Sequence, residues 1–264
     1  VIMPRLTIDS NGPKIDFLKI GTGKAVTFTG LCGKHDNELF QLIDDYEIDF
    51  NNAEQLFLLS YRSVLKGLHA SERAAVDMEA IYSKRLQLGK SKSRFNPAWA
   101  WTLFEFMISA KQFNDYKHIY DQIYINKKWN NTIHKHFILY PQKPTIAVNS
   151  VFPSNIFVDA RKCPAELSLN IFPIGDKTHT LFSYLPHHQP EVQKIFGQLD
   201  FADKYFLRYE ISKLVLYRCE NFVLSPKIFS TFNTKQIEII EHFMLQRHLN
   251  PRVNIDNPSL CLFY

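Results

Sequence analysis

The sequence predicts an α+β protein, mainly helical with a small antiparallel sheet in the 136–185 region. Three observations predict it. Apolar residues recur at helical spacing through 52–124, β-branched and aromatic alternation takes over from about residue 134, and helical spacing returns beyond Pro190. With 264 residues, 45% of them hydrophobic and 14% aromatic, the chain can fill one large core or two smaller ones.

The first 29 residues read as irregular. Asn11-Gly12-Pro13 and Gly21-Thr22-Gly23 mark turns, and a short strand is expected over 24–29. Asp36 is placed to cap a two-turn helix over 36–43, and Asn52 to cap a longer one, with Gln55 at the capping-box position. Leu56, Leu59, Tyr61, Val64, Leu65 and Leu68 mark the buried face of that helix, and its periodicity resumes over 72–86. Pro97 opens the next helix, whose core stripe runs through Leu103, Phe106, Met107, Ala110 and Phe113. Strands are expected over 136–140, 146–152, 167–172 and 178–185, the last two joined by a turn at Ile174-Gly175-Asp176-Lys177. Helices follow over 190–199, 203–219 and 234–248, and an extended tail over 250–264.

Composition excludes several classes. No stretch approaches the roughly 20 apolar residues of a membrane span, and the N-terminus lacks the pattern of a signal peptide. Cysteines at 32, 163, 219 and 261 form no close pairs, which favours reduced thiols and a cytoplasmic location. The net charge of +5 favours acidic partners, nucleic acid among them, only weakly. No Walker loop, dinucleotide fingerprint, Gly-x-Ser-x-Gly or His-Glu-x-x-His occurs.

The turn Gly30-Leu31-Cys32-Gly33-Lys34-His35-Asp36-Asn37 carries the most pointed chemistry. Cys32 and His35 have the two-residue spacing of a zinc knuckle, in which a tight turn presents two ligands to one tetrahedral ion. The competing reading is a Cys beside a helix-capping His-Asp pair. Lys90, Lys92 and Arg94, followed by Phe95, Trp99 and Trp101, mix charge with rings as a nucleic-acid strand requires, although such a loop is more often merely solvated. His134 and His136 would share one face of a strand as a metal pair or as solvated residues. His187-His188 reads as surface, His179 and His242 as packed or solvated single histidines. Arg62 and Glu220-Asn221 read as structural polar anchors.

The residues Phe28, Gly30, Cys32, His35, Asp36, Leu39 and Phe40, with 55–62, 169–173 and 220–226 after them, resemble a bacterial family with a Cys-x-x-His-Asp-x-x-Leu-Phe signature. That family is distantly similar to zinc-ribbon HNH endonucleases. The resemblance implies a partial zinc-knuckle segment over 1–45, its first knuckle and catalytic His lying before Val1, and an α+β accessory domain over 46–264. It implies Cys32 and His35 as structural zinc ligands and Asp36 or Asn37 as the polar residue opening an HNH-like helix. A divalent ion would serve a nuclease reaction there. Two functions remain open: an HNH-like, metal-dependent nuclease or nuclease-derived factor acting on nucleic acid, and a non-catalytic module binding protein or nucleic acid.

Overall fold

The structure, a computed structural model, describes residues 1–10, 12–25, 30–88, 97–139, 146–153, 166–219, 222–249 and 257–263. It is α+β, helical for the most part, with one open antiparallel sheet. The chain divides into two compact units, one holding the sheet with the helices that follow it and the other, within Phe28–Asn131, helical. No described helix is long and apolar enough to cross a membrane.

The helical unit contains α1 (Gly33–Asp44), α2 (Ala53–Gln87) and α3 (Pro97–Ile125). Asn52 caps α2 as expected, its side chain accepting the N–H groups of Glu54 and Gln55. Gln55 does something other than close a capping box. Its Oε1 accepts from the Asp49 N–H at 2.7 Å, and its Nε2 donates to the carbonyls of Leu42 and Glu47. One buried amide thus holds the connection between α1 and α2, satisfying backbone groups that a turn leaves without partners.

The core of this unit is aromatic. Phe57 lies 5.5 Å from Tyr120 and 5.1 Å from Trp129 between ring centroids. Tyr120 bonds Ser60 at 2.7 Å, and the Tyr61 hydroxyl donates to Asp121. Arg62 makes a two-pronged contact with Asp44 at 2.7 and 2.6 Å while its guanidinium covers the Phe40 ring at 4.2 Å. It is a structural anchor, with geometry and a stacked face that lysine would not reproduce.

The sheet unit contains β1 (Ile2–Asp9), β2 (Gly12–Lys19), β3 (Ile133–Leu139), β4 (Ile146–Pro153), β5 (Glu166–Ile174), β6 (Lys177–Tyr184), α4 (Gln189–Leu199), α5 (Lys204–Arg218), β7 (Phe222–Leu224), α6 (Pro226–Phe229) and α7 (Thr234–Leu249). The strand order is β2-β1-β7-β4-β5-β6-β3, antiparallel throughout. The four expected strands form one side of this sheet. The β5–β6 turn is tight, with Gly175 at φ 59° supplying the left-handed residue at its first central position.

The sheet is wider than the sequence suggested. Ile2–Asp9 and Gly12–Lys19 pair as antiparallel strands where irregular chain was expected, and Thr22–Lys24 is a short 3-10 turn at the start of the expected 24–29 strand, whose residues 26–29 lie outside the described ones. Pro4 and Pro13 disguised the pairing, since proline cannot donate to a ladder. They are tolerated because β1 meets β7 only through Ile2 and Leu224, and β2 forms the edge.

Strand register sorts the side chains. Leu169 faces Phe182 and Ile171 faces Thr180 across β5–β6, while Val148 faces Ile171 across β4–β5. Alternation therefore gives one face Leu167, Leu169, Ile171, Phe182 and Tyr184, which join Phe196 of α4, Ile211 and Val215 of α5, and Ile240 and Phe243 of α7 in the core. The tail closes this core. Leu260 and Leu262 are fully buried, and the Leu262 N–H donates to the Ser212 hydroxyl. Arg247 caps the end of α5 by donating to the Leu216 carbonyl at 2.7 Å.

Phe196 packs against Phe137, Phe182 and Tyr184. Phe196→Ala should cost about 4 kcal/mol of unfolding free energy in urea titrations, through lost burial and a residual cavity.

Candidate functional site

The Cys32–His35 turn opens α1. Cys32 is the N-cap residue in extended backbone, and its carbonyl accepts the Asp36 N–H at 2.9 Å, so the helix begins three residues before the expected Asp36 cap. Asp36 therefore lies in the first turn, where its charge complements the helix dipole. Asn37 beside it is exposed. Cys32 Sγ lies 3.2 Å from His35 Nδ1 in an exposed contact between the two side chains.

This geometry corrects the zinc expectation. A structural zinc site needs four donors, and among the described residues no group of three or more His, Cys, Asp or Glu side chains is placed to hold a metal ion. Cys32 and His35 engage each other instead. With the zinc goes the divalent-ion chemistry that the HNH-like resemblance implied for this turn.

Lys90, Lys92 and Arg94 lie outside the described residues, as does Phe95. Trp101 lies on α3 with its indole N–H donating to Glu105 at 2.8 Å.

The sheet brings together polar residues that the sequence left scattered. His134 and His136 share a face of β3, both partly buried, and each ring bonds neighbouring side chains. His134 Nδ1 bonds Ser183 Oγ of β6 at 2.8 Å, and its Nε2 bonds Thr132 Oγ1 at 2.9 Å. His136 Nε2 bonds His179 Nδ1 at 3.0 Å, and Phe172 lies along the far side of His179. On the same face Asn149 donates to Asn170 at 2.7 Å, and Ser168 donates to the Ser183 carbonyl. His188, read as surface, is buried and hydrogen-bonded to the Glu166 backbone.

Burial sets the electrostatics here. It pushes His134 and His136 down to about 4, the latter helped by His179, and His188 down to about 4 with His187 adding to the effect. It pushes the Glu166 carboxyl up to about 8. At neutral pH the face is thus close to uncharged. A neutral imidazole has one donor and one acceptor nitrogen, and His134 spends both on protein hydroxyls. His134 is thus satisfied by its neighbours.

A second feature is open to solvent. α4 ends at Leu199, and Asp200 pairs with Lys135 at 2.6 Å. Three residues later Asp203 caps α5 by accepting the N–H groups of Tyr205 and Phe206 at 2.8 and 2.9 Å. Ile211 and Val215 turn to the core, while Tyr205, Phe206, Tyr209, Glu210 and Lys213 line a groove of about 1110 Å³ completed by Phe201, Pro258 and Cys261.

Phe201 is 91% exposed and Tyr205 67%. On the groove wall Lys213 contacts Glu210 at 3.3 Å and sits 5.1 Å from the Tyr209 ring centre, whose hydroxyl accepts the Asn257 N–H. Sequence reading missed this groove. Its signal was the run Phe201, Tyr205, Phe206 and Tyr209, which is out of phase with Ile211 and Val215 and therefore too aromatic for a solvated face.

Comparison of the chain with family models, curated proteins and solved structures finds no match. The resemblance to the Cys-x-x-His-Asp-x-x-Leu-Phe family and to HNH endonucleases is therefore not upheld, and the turn that carried it lacks a metal cluster among the described residues. The fold and the site define an α+β protein with a buried polar sheet face and an open aromatic groove.

Cys32→Ala should leave the unfolding free energy within about 0.5 kcal/mol, as for other exposed substitutions. A larger loss, reproduced by chelation, would restore the zinc. The buried face should give a stability maximum near the usual imidazole value of about 6.5. Below it the unfolded state binds protons that folded His134, His136 and His188 refuse, so stability falls as pH drops from about 6.5 toward 4, by up to about 1.4 kcal/mol per pH unit for His134. Above it the folded state keeps a proton on Glu166 that the unfolded state has lost, so stability declines toward pH 8. Thermal melts across this range should show both limbs, and Glu166→Gln should flatten the alkaline one.

Proposed function

We propose that this protein is a non-catalytic protein-binding module whose α5 groove takes an apolar peptide segment carrying a basic residue. The observation that supports the reading is the exposed aromatic wall formed by Phe201, Tyr205 and Phe206 around a groove of peptide-binding size. Large rings held by a capped helix offer contact area at little cost in side-chain entropy, which is why such rings recur in recognition sites.

Charge favours a peptide over nucleic acid. Among the described residues that line it, the groove sets Asp203 and Glu210 against one cation, Lys213. A surface that tracks a phosphate backbone needs an excess of basic residues. An acidic excess beside aromatic rings suits a peptide whose Lys or Arg meets Glu210 while its apolar side chains lie against Tyr205 and Phe201. Both ring nitrogens of His134 are engaged by hydroxyls, which supports leaving the histidine face out of any catalytic scheme.

Panning a displayed random-peptide library on the full chain should enrich short sequences that combine aromatic or proline residues with Lys or Arg. Their affinity, measured by titration calorimetry, should fall at least about tenfold in Phe201→Ala/Tyr205→Ala. Both side chains are exposed, so the variant's melting temperature should stay near the parent's. Equal binding by parent and variant would overturn the proposal, as would preferential binding of an oligonucleotide that the same substitutions weaken.

A further inference from the structure

Helix α3 is apolar on two opposite sides. Phe113, Tyr116 and Tyr120 are buried in the core of the helical unit, whereas Trp101, Phe104, Met107 and Ile108 project into solvent, Trp101 being 63% exposed. The outward residues follow a seven-residue pattern. Trp101, Phe104, Ile108, Lys111 and Asp115 succeed one another at alternating steps of three and four, the spacing of a coiled-coil seam. The seam is about 20 Å long at the rise of an α-helix. A helix that is apolar on both sides is expected to be covered on both.

We infer that this seam is the contact surface of a dimer, in which the α3 helices of two copies of this chain pack antiparallel about a two-fold axis beside residue 106. The seam's order of side chains selects this occupant. Under such an axis Phe104 of one copy lies opposite Ile108 of the other, on both sides of the axis, and the two pairs make a small apolar centre. Trp101 lies opposite Lys111, and Glu105, which accepts the Trp101 indole N–H, lies within reach of the same ammonium.

Each end therefore closes with a cation beside an indole and a carboxylate. Asp115, bonded to Lys111 at 2.6 Å within its own helix, comes beside Pro97, the first residue of the other α3, where the helix dipole favours negative charge. Every favourable contact occurs twice, as a two-fold interface requires. A parallel pairing would instead set Lys111 against Lys111 and Asp115 against Asp115. The apolar centre is small, so the dimer belongs with weak interfaces that dissociate in the micromolar range.

Sedimentation equilibrium of the full chain from low to high micromolar concentration tests this. The expected result is a monomer–dimer equilibrium that Phe104→Glu/Ile108→Glu shifts to monomer, with unchanged far-UV circular dichroism. Glu105→Lys and Lys111→Glu should each weaken the dimer at least about fivefold, and the two together in one chain should restore most of it, because positions 105 and 111, six apart in one helix, meet each other only across the axis. A parent chain monomeric at every concentration would overturn the inference, whatever other protein the seam binds. So would a dimer insensitive to Phe104→Glu/Ile108→Glu, or one that the double charge exchange fails to rescue.

Discussion

Residues 166–171 of β5 are buried on both faces of the sheet, and much else in the sheet unit follows from that double burial. On one side alternation supplies Leu167, Leu169 and Ile171 to an ordinary apolar core. On the other it buries Glu166, Ser168 and Asn170, and polar groups removed from water must find partners within the protein. The partners come from neighbouring strands at the positions that register provides: Asn149 for Asn170, the Ser183 carbonyl for Ser168, and His134 for the Ser183 hydroxyl. The shifted titrations of His134, His136, His188 and Glu166 then express the same desolvation, and their opposite directions follow from the opposite charges that burial disfavours.

The α5 groove has one local wall and one distant one. One carboxylate, that of Asp203, fixes where the helix begins, and packing of Ile211 and Val215 into the core turns the aromatic residues outward. The C-terminal segment supplies the other wall. Its anchoring through Leu260, Leu262 and the Ser212 hydroxyl places Pro258 and Cys261 opposite the aromatic residues of α5. Packing of the tail and shape of the groove are consequently one event. The histidine face differs in kind, because both ring nitrogens of His134 are consumed internally.

The helical unit relies on a ring cluster with built-in polar ties. Tyr61 and Tyr120 each bury an apolar body and direct a polar tip to a specific partner, which fixes the pairing of α2 with α3 more narrowly than apolar contact alone. Beyond that cluster α3 keeps an apolar outer side, from Trp101 to Ile108, that its own unit leaves exposed.

The sequence by itself determined the α+β class, the long helices and the strands of the 136–185 region, because helical and alternating periodicities are local properties that survive without knowledge of partners. Asn52 was legible as a cap for the same reason, and Arg62 as an anchor. Only the tertiary structure decided that Pro4 and Pro13 lie in strands β1 and β2, since what permits them is a mostly unpaired ribbon at the sheet edge. Only it joined His134 to Ser183, His136 to His179 and His188 to Glu166, pairs brought together by strand register and by the turn after β6, over separations that spacing cannot register. The Cys32–His35 turn illustrates the limit most directly. Two-residue spacing establishes that the side chains can meet, but whether they meet around a metal depends on further donors, and among the described residues the fold brings none to them.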